Sequence, residues 1–329
     1  MFDTRPLILA LLALLLAAPA QAVRQPLAAG DHLLELTHDG APRRYLLHVP
    51  PDMPAGPRPL LVALHGVSLH LDNFRRQATL EPLAAHEHFY VLYPLAMKTV
   101  GLQTWNAGTC CGLPAWRDVD DVGFVLAAMA AAEQQVPVEP RRVYLVGMSN
   151  GAMMAYRLAM EAPEHFAAIG AVAGTMVTDS FRPSAPISLI HVHALHDPLV
   201  PLRGRPLFDL PAVESVVGQW REANDCPATP AVERFHQLAP DPAPEALERR
   251  WEPCAADTAV ALWVLDGPGH VWPGAELPGW QAPLTRAEAP TIDAGQIIWA
   301  FLSRFSLPPP EAAAPRRARA SDGSLRSGE

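Results

Sequence analysis

Four cysteines in 329 residues, with no Cys-x-x-Cys among them, give no indication of a zinc ribbon or a thioredoxin-type redox site. Basic residues are in deficit: 25 Lys and Arg stand against 34 Asp and Glu, a formal net charge of −9. Without a basic stripe, nucleic-acid binding is not expected. Beyond the first 18 residues no apolar stretch is long enough for a membrane helix, so no stable membrane insertion is expected of the processed chain. No internal repeat is visible.

The two ends differ from the middle. Residues 1–6, M-F-D-T-R-P, precede an apolar run over 7–18 and then Ala20-Gln21-Ala22. A short n-region, an h-region too short to span a bilayer and an A-x-A site predict a signal peptide over 1–22, cleaved after Ala22. An uncleaved N-terminal anchor is the alternative. The expected location is secreted or periplasmic. Residues 307–329 are dominated by Pro, Ala, Arg, Ser and Gly without an apolar period, which predicts a disordered tail. The remaining 23–306 fits one large α/β catalytic domain. Export permits disulfides. Cys226 and Cys254 lie in one loop-rich region and are expected to pair. The adjacent Cys110 and Cys111 fit either a vicinal disulfide or two free thiols.

Strand-like runs over 32–36 and 43–49 flank a turn at His38-Asp39-Gly40-Ala41-Pro42 and predict a hairpin. Apolar runs predict strands over 60–64, 90–93, 143–146, 167–172, 187–195 and 258–265. Helical patterns fall over 73–86, 118–135, 152–160, 212–224 and 292–305. Residues 97–116 read as a long irregular loop, and such loops are usually functional or disordered. The alternation of strand and helix argues for a mostly parallel sheet with helices on both faces.

The centre of this arrangement is Gly147-Met148-Ser149-Asn150-Gly151, between the strand over 143–146 and the helix over 152–160. A serine on a sharp strand-to-helix turn sits in a strained backbone, and side chains two residues to either side would clash, so both places favour glycine. The turn lifts the Ser149 hydroxyl above the sheet and aims the first helical amides at its target. A serine nucleophile needs a base, and the base needs an orienting acid. In such a sheet they belong beyond the C-terminal ends of later strands, in the order Ser, acid, His. Asp197 follows the strand over 187–195, in His196-Asp197-Pro198-Leu199-Val200-Pro201. His270 follows the strand over 258–265, in a Gly/Pro-rich loop. The expected triad is Ser149, Asp197 and His270. Asp266 is a rival acid, four positions from His270. A dinuclear metal site at His191, His193 and His196 is disfavoured, because Leu195 stands where H-x-H-x-D-H needs Asp; His191 and His193 read as hydrogen-bonded core residues. The oxyanion donors are expected to be the backbone amides of Asn150 and of Val67, after Gly66, with His65 supporting that loop.

Leu64-His65-Gly66, Trp105-Asn106-Ala107-Gly108-Thr109-Cys110-Cys111-Gly112, Val119-Asp120-Asp121-Val122, the Ser149 turn, Asp197-Pro198-Leu199-Val200-Pro201 and Gly269-His270-Val271-Trp272-Pro273-Gly274 occur in one order. Together they resemble the secreted polyhydroxybutyrate-depolymerase-like and feruloyl-esterase-like branch of the α/β-hydrolase fold, over residues 30–305. The resemblance implies Ser149 as nucleophile, Asp197 as acid, His270 as base and Cys226 and Cys254 as a pair. The chain departs from the family's usual His-Gly at His193-Ala194, and from Gly-Gly-Gly-His at Gly267-Pro268-Gly269-His270. The function this implies is an exported serine carboxylic-ester hydrolase acting through an acyl-enzyme on short polyester, feruloyl or acetyl esters, with no metal or organic cofactor. A peptidase or lipase on the same fold, or a non-catalytic exported binding protein, are the alternatives; no long apolar lid segment favours a lipase. Trp272, Trp105, Trp116 and Trp280 are candidates to line the substrate side, with core packing as the competing explanation for each.

Overall fold

The computed structural model describes residues 26–67, 71–99, 101–178, 180–237, 245–267, 269–275 and 292–309. The expected leader, Pro268, Trp280 and residues 310–329 lie outside these. In chain order the elements are β1 (Gly30–His38), β2 (Ala41–Val49), β3 (Arg58–Leu64), α1 (Leu71–Ala78), α2 (Leu80–Glu87), β4 (Tyr90–Pro94), β5 (Lys98–Thr99), β6 (Leu102–Gln103), α3 (Gly112–Trp116), α4 (Asp121–Glu133), β7 (Val138–Met148) and α5 (Asn150–Glu161). They continue with β8 (Ala168–Val172), β9 (Ser188–Ala194), α6 (Val213–Ala223), β10 (Val232–Gln237), β11 (Glu245–Trp251), β12 (Val260–Leu265) and α7 (Ala294–Leu302).

One sheet takes the order β1-β2-β4-β3-β7-β8-β9-β12-β11-β10. Its middle strands, from β4 to β12, are parallel. An antiparallel hairpin extends it on each side. Successive side chains of a strand point to opposite faces. In β3, Leu60, Val62 and Leu64 join one core with Phe124 of α4, Tyr156 of α5 and Trp220 of α6. Leu61 and Ala63 join a second core with Phe74 of α1, Ala84 of α2 and Trp299 of α7. Helices thus cover both faces, as expected, and the inner strands read as unbroken apolar runs for that reason.

Four expectations need correction. The helix over 73–86 is two helices, because Thr79 takes φ 46° between α1 and α2. The loop over 97–116 carries the β5–β6 ribbon and α3. The region between Cys226 and Cys254 contains strands β10 and β11, not only loops. Their sequences hid them: β10 is largely exposed, and the apolar rhythm of β11 is broken by Glu248, which is buried against His236 at 2.9 Å. The chain past α7 stays attached at least to Leu307, whose N–H donates to the Arg141 carbonyl at 2.9 Å. Cys226 and Cys254 are bonded, 28 residues apart; closing such a loop stabilises by about 3–4 kcal/mol in the chain-entropy view. Cys110 and Cys111 form a vicinal disulfide.

Candidate active site

Strand β7 ends at Met148 and α5 begins at Asn150, so Ser149 alone makes the turn. Its φ of 56° and ψ of −124° lie in a region that costs a non-glycine residue on the order of 1–3 kcal/mol. The backbone pays that strain because its neighbours fit tightly. A Cβ on Gly147 would stand 2.7 Å from the Ala152 nitrogen, and one on Gly66 would stand 3.0 Å from the Ser149 Cβ. The Ser149 N–H donates to the Val172 carbonyl at 2.8 Å, fixing the turn to β8.

Asp197 and His270 meet Ser149 above the C-terminal ends of β7, β9 and β12. His270 Nδ1 lies 2.8 Å from Asp197 Oδ2 and Nε2 lies 2.8 Å from Ser149 Oγ. The carboxylate can only accept, so Nδ1 carries the proton, and the bare Nε2 accepts from the Ser149 hydroxyl. Asp197 is 4 % exposed. Burial alone would raise its pKa, but the hydrogen bond and charge of His270, with the Val200 amide and His193, hold it below the ordinary value. Its other oxygen, Oδ1, accepts from the Leu199 and Val200 amides, each at 2.9 Å. The rival Asp266 faces His196 at 3.5 Å, on the surface. A hydroxyl donating to an imidazole whose far N–H is held by a buried carboxylate can be deprotonated as it attacks a carbonyl.

The expected oxyanion residues are adjacent to the serine. Asn150 opens α5, and Gly66 approaches the Ser149 side chain, with Val67 next and exposed. His65 braces this loop. The Ala96 N–H donates to its Nε2 at 3.2 Å, so its Nδ1–H donates to the Gly66 carbonyl at 2.6 Å. Burial pushes the His65 pKa down to about 4. A histidine held neutral in the fold stabilises fully above the unfolded value of about 6.5, and that stability is lost as the pH falls toward the folded value. His191 and His193 shift in the same direction, also through burial. Urea unfolding is therefore expected to give a stability at pH 4.5 at least about 2 kcal/mol below that at pH 7.5. A flat profile over that range would remove the neutral-histidine account.

Two of the tryptophans expected at the substrate are core residues instead. Trp272 is 1 % exposed and packs edge-on against Phe74 at 5.9 Å. Trp105 is fully buried and donates from Nε1 to the His65 carbonyl at 2.8 Å. Neither offers a ring face to a ligand. Trp116, at the end of α3, is 80 % exposed. His191 and His193 are hydrogen-bonded in the core, as read from the sequence. His191 lies 2.6 Å from the Tyr156 hydroxyl and 3.0 Å from His193, which reaches the Val200 carbonyl at 2.8 Å.

Sequence reasoning missed how the 105–111 segment is held. The Asn150 side chain takes the Trp105 N–H at 2.7 Å and gives its own N–H to the Trp105 carbonyl at 3.2 Å. Asn106 donates its backbone N–H to Asp121 Oδ2 at 2.8 Å, while Arg43 holds Asp121 Oδ1 at 2.6 Å in a buried pair. Two acids stand at the start of α4, where the helix dipole favours negative charge. Asp120 does cap the helix, through the Gly123 amide at 2.8 Å, but Asp121 points inward. The pairing of Asp120-Asp121 with Trp105-Asn106 in one ordered set of motifs was the available signal.

The description "Esterase PHB depolymerase" matches residues 43–203. The putative esterase NocK of Nocardia uniformis subsp. tsuyamanensis is 30 % identical over 279 residues, covering 78 % of each chain. The bifunctional acetylxylan esterase/xylanase XynS20E of Neocallimastix patriciarum is 24 % identical over 83 % of this chain, which spans 35 % of that larger protein. The poly(3-hydroxyalkanoate) depolymerase C of Paucimonas lemoignei is 30 % identical over 42 % of this chain and 34 % of its own. Among solved structures, an acetyl xylan esterase from Aspergillus awamori aligns with a TM-score of 0.55 at 14 % identity, over 83 % of this chain and 99 % of the other; at that identity the likeness concerns the fold.

Proposed function

The chain belongs to the PHB-depolymerase-type esterase family and is a serine esterase with the α/β-hydrolase fold, and from that premise we propose that it works through Ser149, His270 and Asp197 by way of an acyl-enzyme. The observation that carries this reading is the hydrogen-bonded line Asp197–His270–Ser149, with both distances at 2.8 Å. His270 takes the serine proton as Oγ attacks the ester carbonyl. The amides of Asn150 and Val67 receive the oxyanion. His270 then gives its proton to the leaving alcohol, and water, activated by the same ring, releases the acid from Ser149. Asp197 keeps the ring in one tautomer and stabilises its charged form.

The substrates proposed are short polyester, feruloyl or acetyl esters. Relatives named for acetylxylan, ferulate and polyhydroxyalkanoate support that range. The exposed side chain of Leu199, beside Asp197, supports an apolar rim, and the exposed Trp116 is the remaining tryptophan proposed to contact substrate. Export is part of the proposal, and the Cys226–Cys254 bond supports it, since such bonds persist in oxidising compartments.

The test is a panel of p-nitrophenyl acetate and butyrate, methyl ferulate, acetylated xylan and a 3-hydroxybutyrate trimer, run beside a fluorophosphonate inhibitor. Hydrolysis of at least one ester is expected. One equivalent of phosphonate should stop it, with the added mass on the peptide that holds Ser149. Turnover that persists in fully phosphonylated protein would defeat the mechanism.

A further inference from the structure

We propose that Tyr156, His191 and His193 are positioning residues for the acid, joined in a one-way hydrogen-bond chain that starts on the nucleophile's helix and ends on the Val200 carbonyl. The proposal rests on the assignment of Ser149, His270 and Asp197 above.

The direction of the chain follows from its last acceptor. The Val200 carbonyl, 2.8 Å from His193 Nε2, can only accept, so Nε2 carries a proton. Both rings are fully buried, and the nearest carboxylate oxygen, Asp197 Oδ2, is 3.6 Å from His193 Nε2, beyond a hydrogen bond. Each ring is therefore neutral and has one N–H; burial holds both below the ordinary histidine pKa. His193 Nδ1 is then bare and accepts from His191 Nε2–H at 3.0 Å. His191 Nδ1 is bare in turn and accepts from the Tyr156 hydroxyl at 2.6 Å. All three rings lie nearly parallel, Tyr156 at 24° to His191 and His191 at 13° to His193. The charged or titratable groups facing His193 are Asp197 and His270, and His191 faces His193 and Tyr156.

Val200 converts this chain into placement of the acid. Its carbonyl is held by His193, and its N–H, with that of Leu199, holds Asp197 Oδ1 at 2.9 Å. With Oδ1 doubly occupied, Oδ2 is left to face His270 at 2.8 Å. Tyr156 lies seven residues past Ser149 on α5, about two turns down the same helix. The chain therefore joins the helix that presents the nucleophile to the strand and turn that present the acid. Satisfying buried polar groups in the core would not by itself require the chain to end on the one turn that grips Asp197.

The test compares Tyr156→Phe, His193→Ala and His193→Gln in the full chain, with p-nitrophenyl acetate, well below the melting temperature of each. Tyr156→Phe is expected to lower kcat ~10-fold, the scale of one lost hydrogen bond, with KM within twofold. His193→Ala should lose more, and His193→Gln, whose amide N–H can donate to the Val200 carbonyl, should recover most of that loss. If Tyr156→Phe keeps kcat within twofold, or if His193→Gln does no better than His193→Ala, the chain is only core packing and the proposal is overturned. Should His193→Ala not fold, Tyr156→Phe decides alone by the same twofold limit. Ser149→Ala runs in parallel. Activity retained there would overturn the triad reading and this proposal with it, whereas an inactive Ser149→Ala beside an unaffected Tyr156→Phe overturns this proposal only.

Discussion

Ser149→Ala is expected to lower kcat by about 10⁴-fold or more, with the melting temperature little changed. The hydroxyl sits at the head of the Asp197–His270 line, 2.8 Å from the ring nitrogen, and no other hydroxyl is hydrogen-bonded to His270 among the described residues. Alanine keeps the φ of 56° at the same cost, since it carries the same Cβ. The change therefore removes chemistry without removing packing. Because nucleophile and base act as a unit, His270→Ala should be about as damaging, and the double variant no worse than either single one. The measurement is kcat for p-nitrophenyl acetate with all three proteins, beside thermal melts. Costs that simply add, or a Ser149→Ala protein with more than a few per cent of wild-type kcat, would mean that the serine and histidine do not act together.

Gly151→Ala should be among the most damaging single-methyl additions at the described glycines. The new Cβ would stand 2.5 Å from the His65 carbonyl oxygen and closer still to that of Leu64. Both obstacles are backbone, at the end of a central strand, and cannot rotate away. Either α5 shifts off the sheet or the Leu64–Gly66 segment moves, and the second also displaces the proposed oxyanion loop. A loss of about 3 kcal/mol or more is expected, at the upper end of overpacking, together with most of the activity. Gly218→Ala is the control. It lies inside α6 with nothing within 4 Å of its added Cβ, so it should be neutral or stabilise by about 0.5–1 kcal/mol. Urea unfolding of both variants decides the matter. Equal effects would mean that the tight fit at the elbow is not what selects glycine.

The inner sheet was legible because burial on two faces leaves an unmistakable mark: runs such as Leu60 to Leu64 have no polar residue at all. The proposed triad was legible for a related reason. Each member lies within five residues of the end of an inner strand, so finding the strand ends nearly located the side chains. What stayed hidden depends on pairing across the chain. Arg43 and Asp121 are 78 residues apart and meet inside the protein, and neither sequence neighbourhood announces a buried ion pair. Strand β10 is polar because only one side of it is paired. The tryptophans misled because size and an aromatic face suit a core as well as a ligand. Trp105 was placed inward by Asn150, which grips its backbone from the residue after the nucleophile.

Among the described residues the sheet ends at β1 on one margin and β10 on the other, and both carry charge that opposes growth. A strand with an unpaired row of backbone groups is a template for another chain, and natural sheets discourage this with charge. Here β1 exposes Asp31 and Glu35, and β10 exposes Glu233 and Arg234. A second copy adding itself as the next strand would have to strip water from these groups. Charge at both margins therefore discourages growth of the sheet by added strands when the molecule is crowded at high concentration.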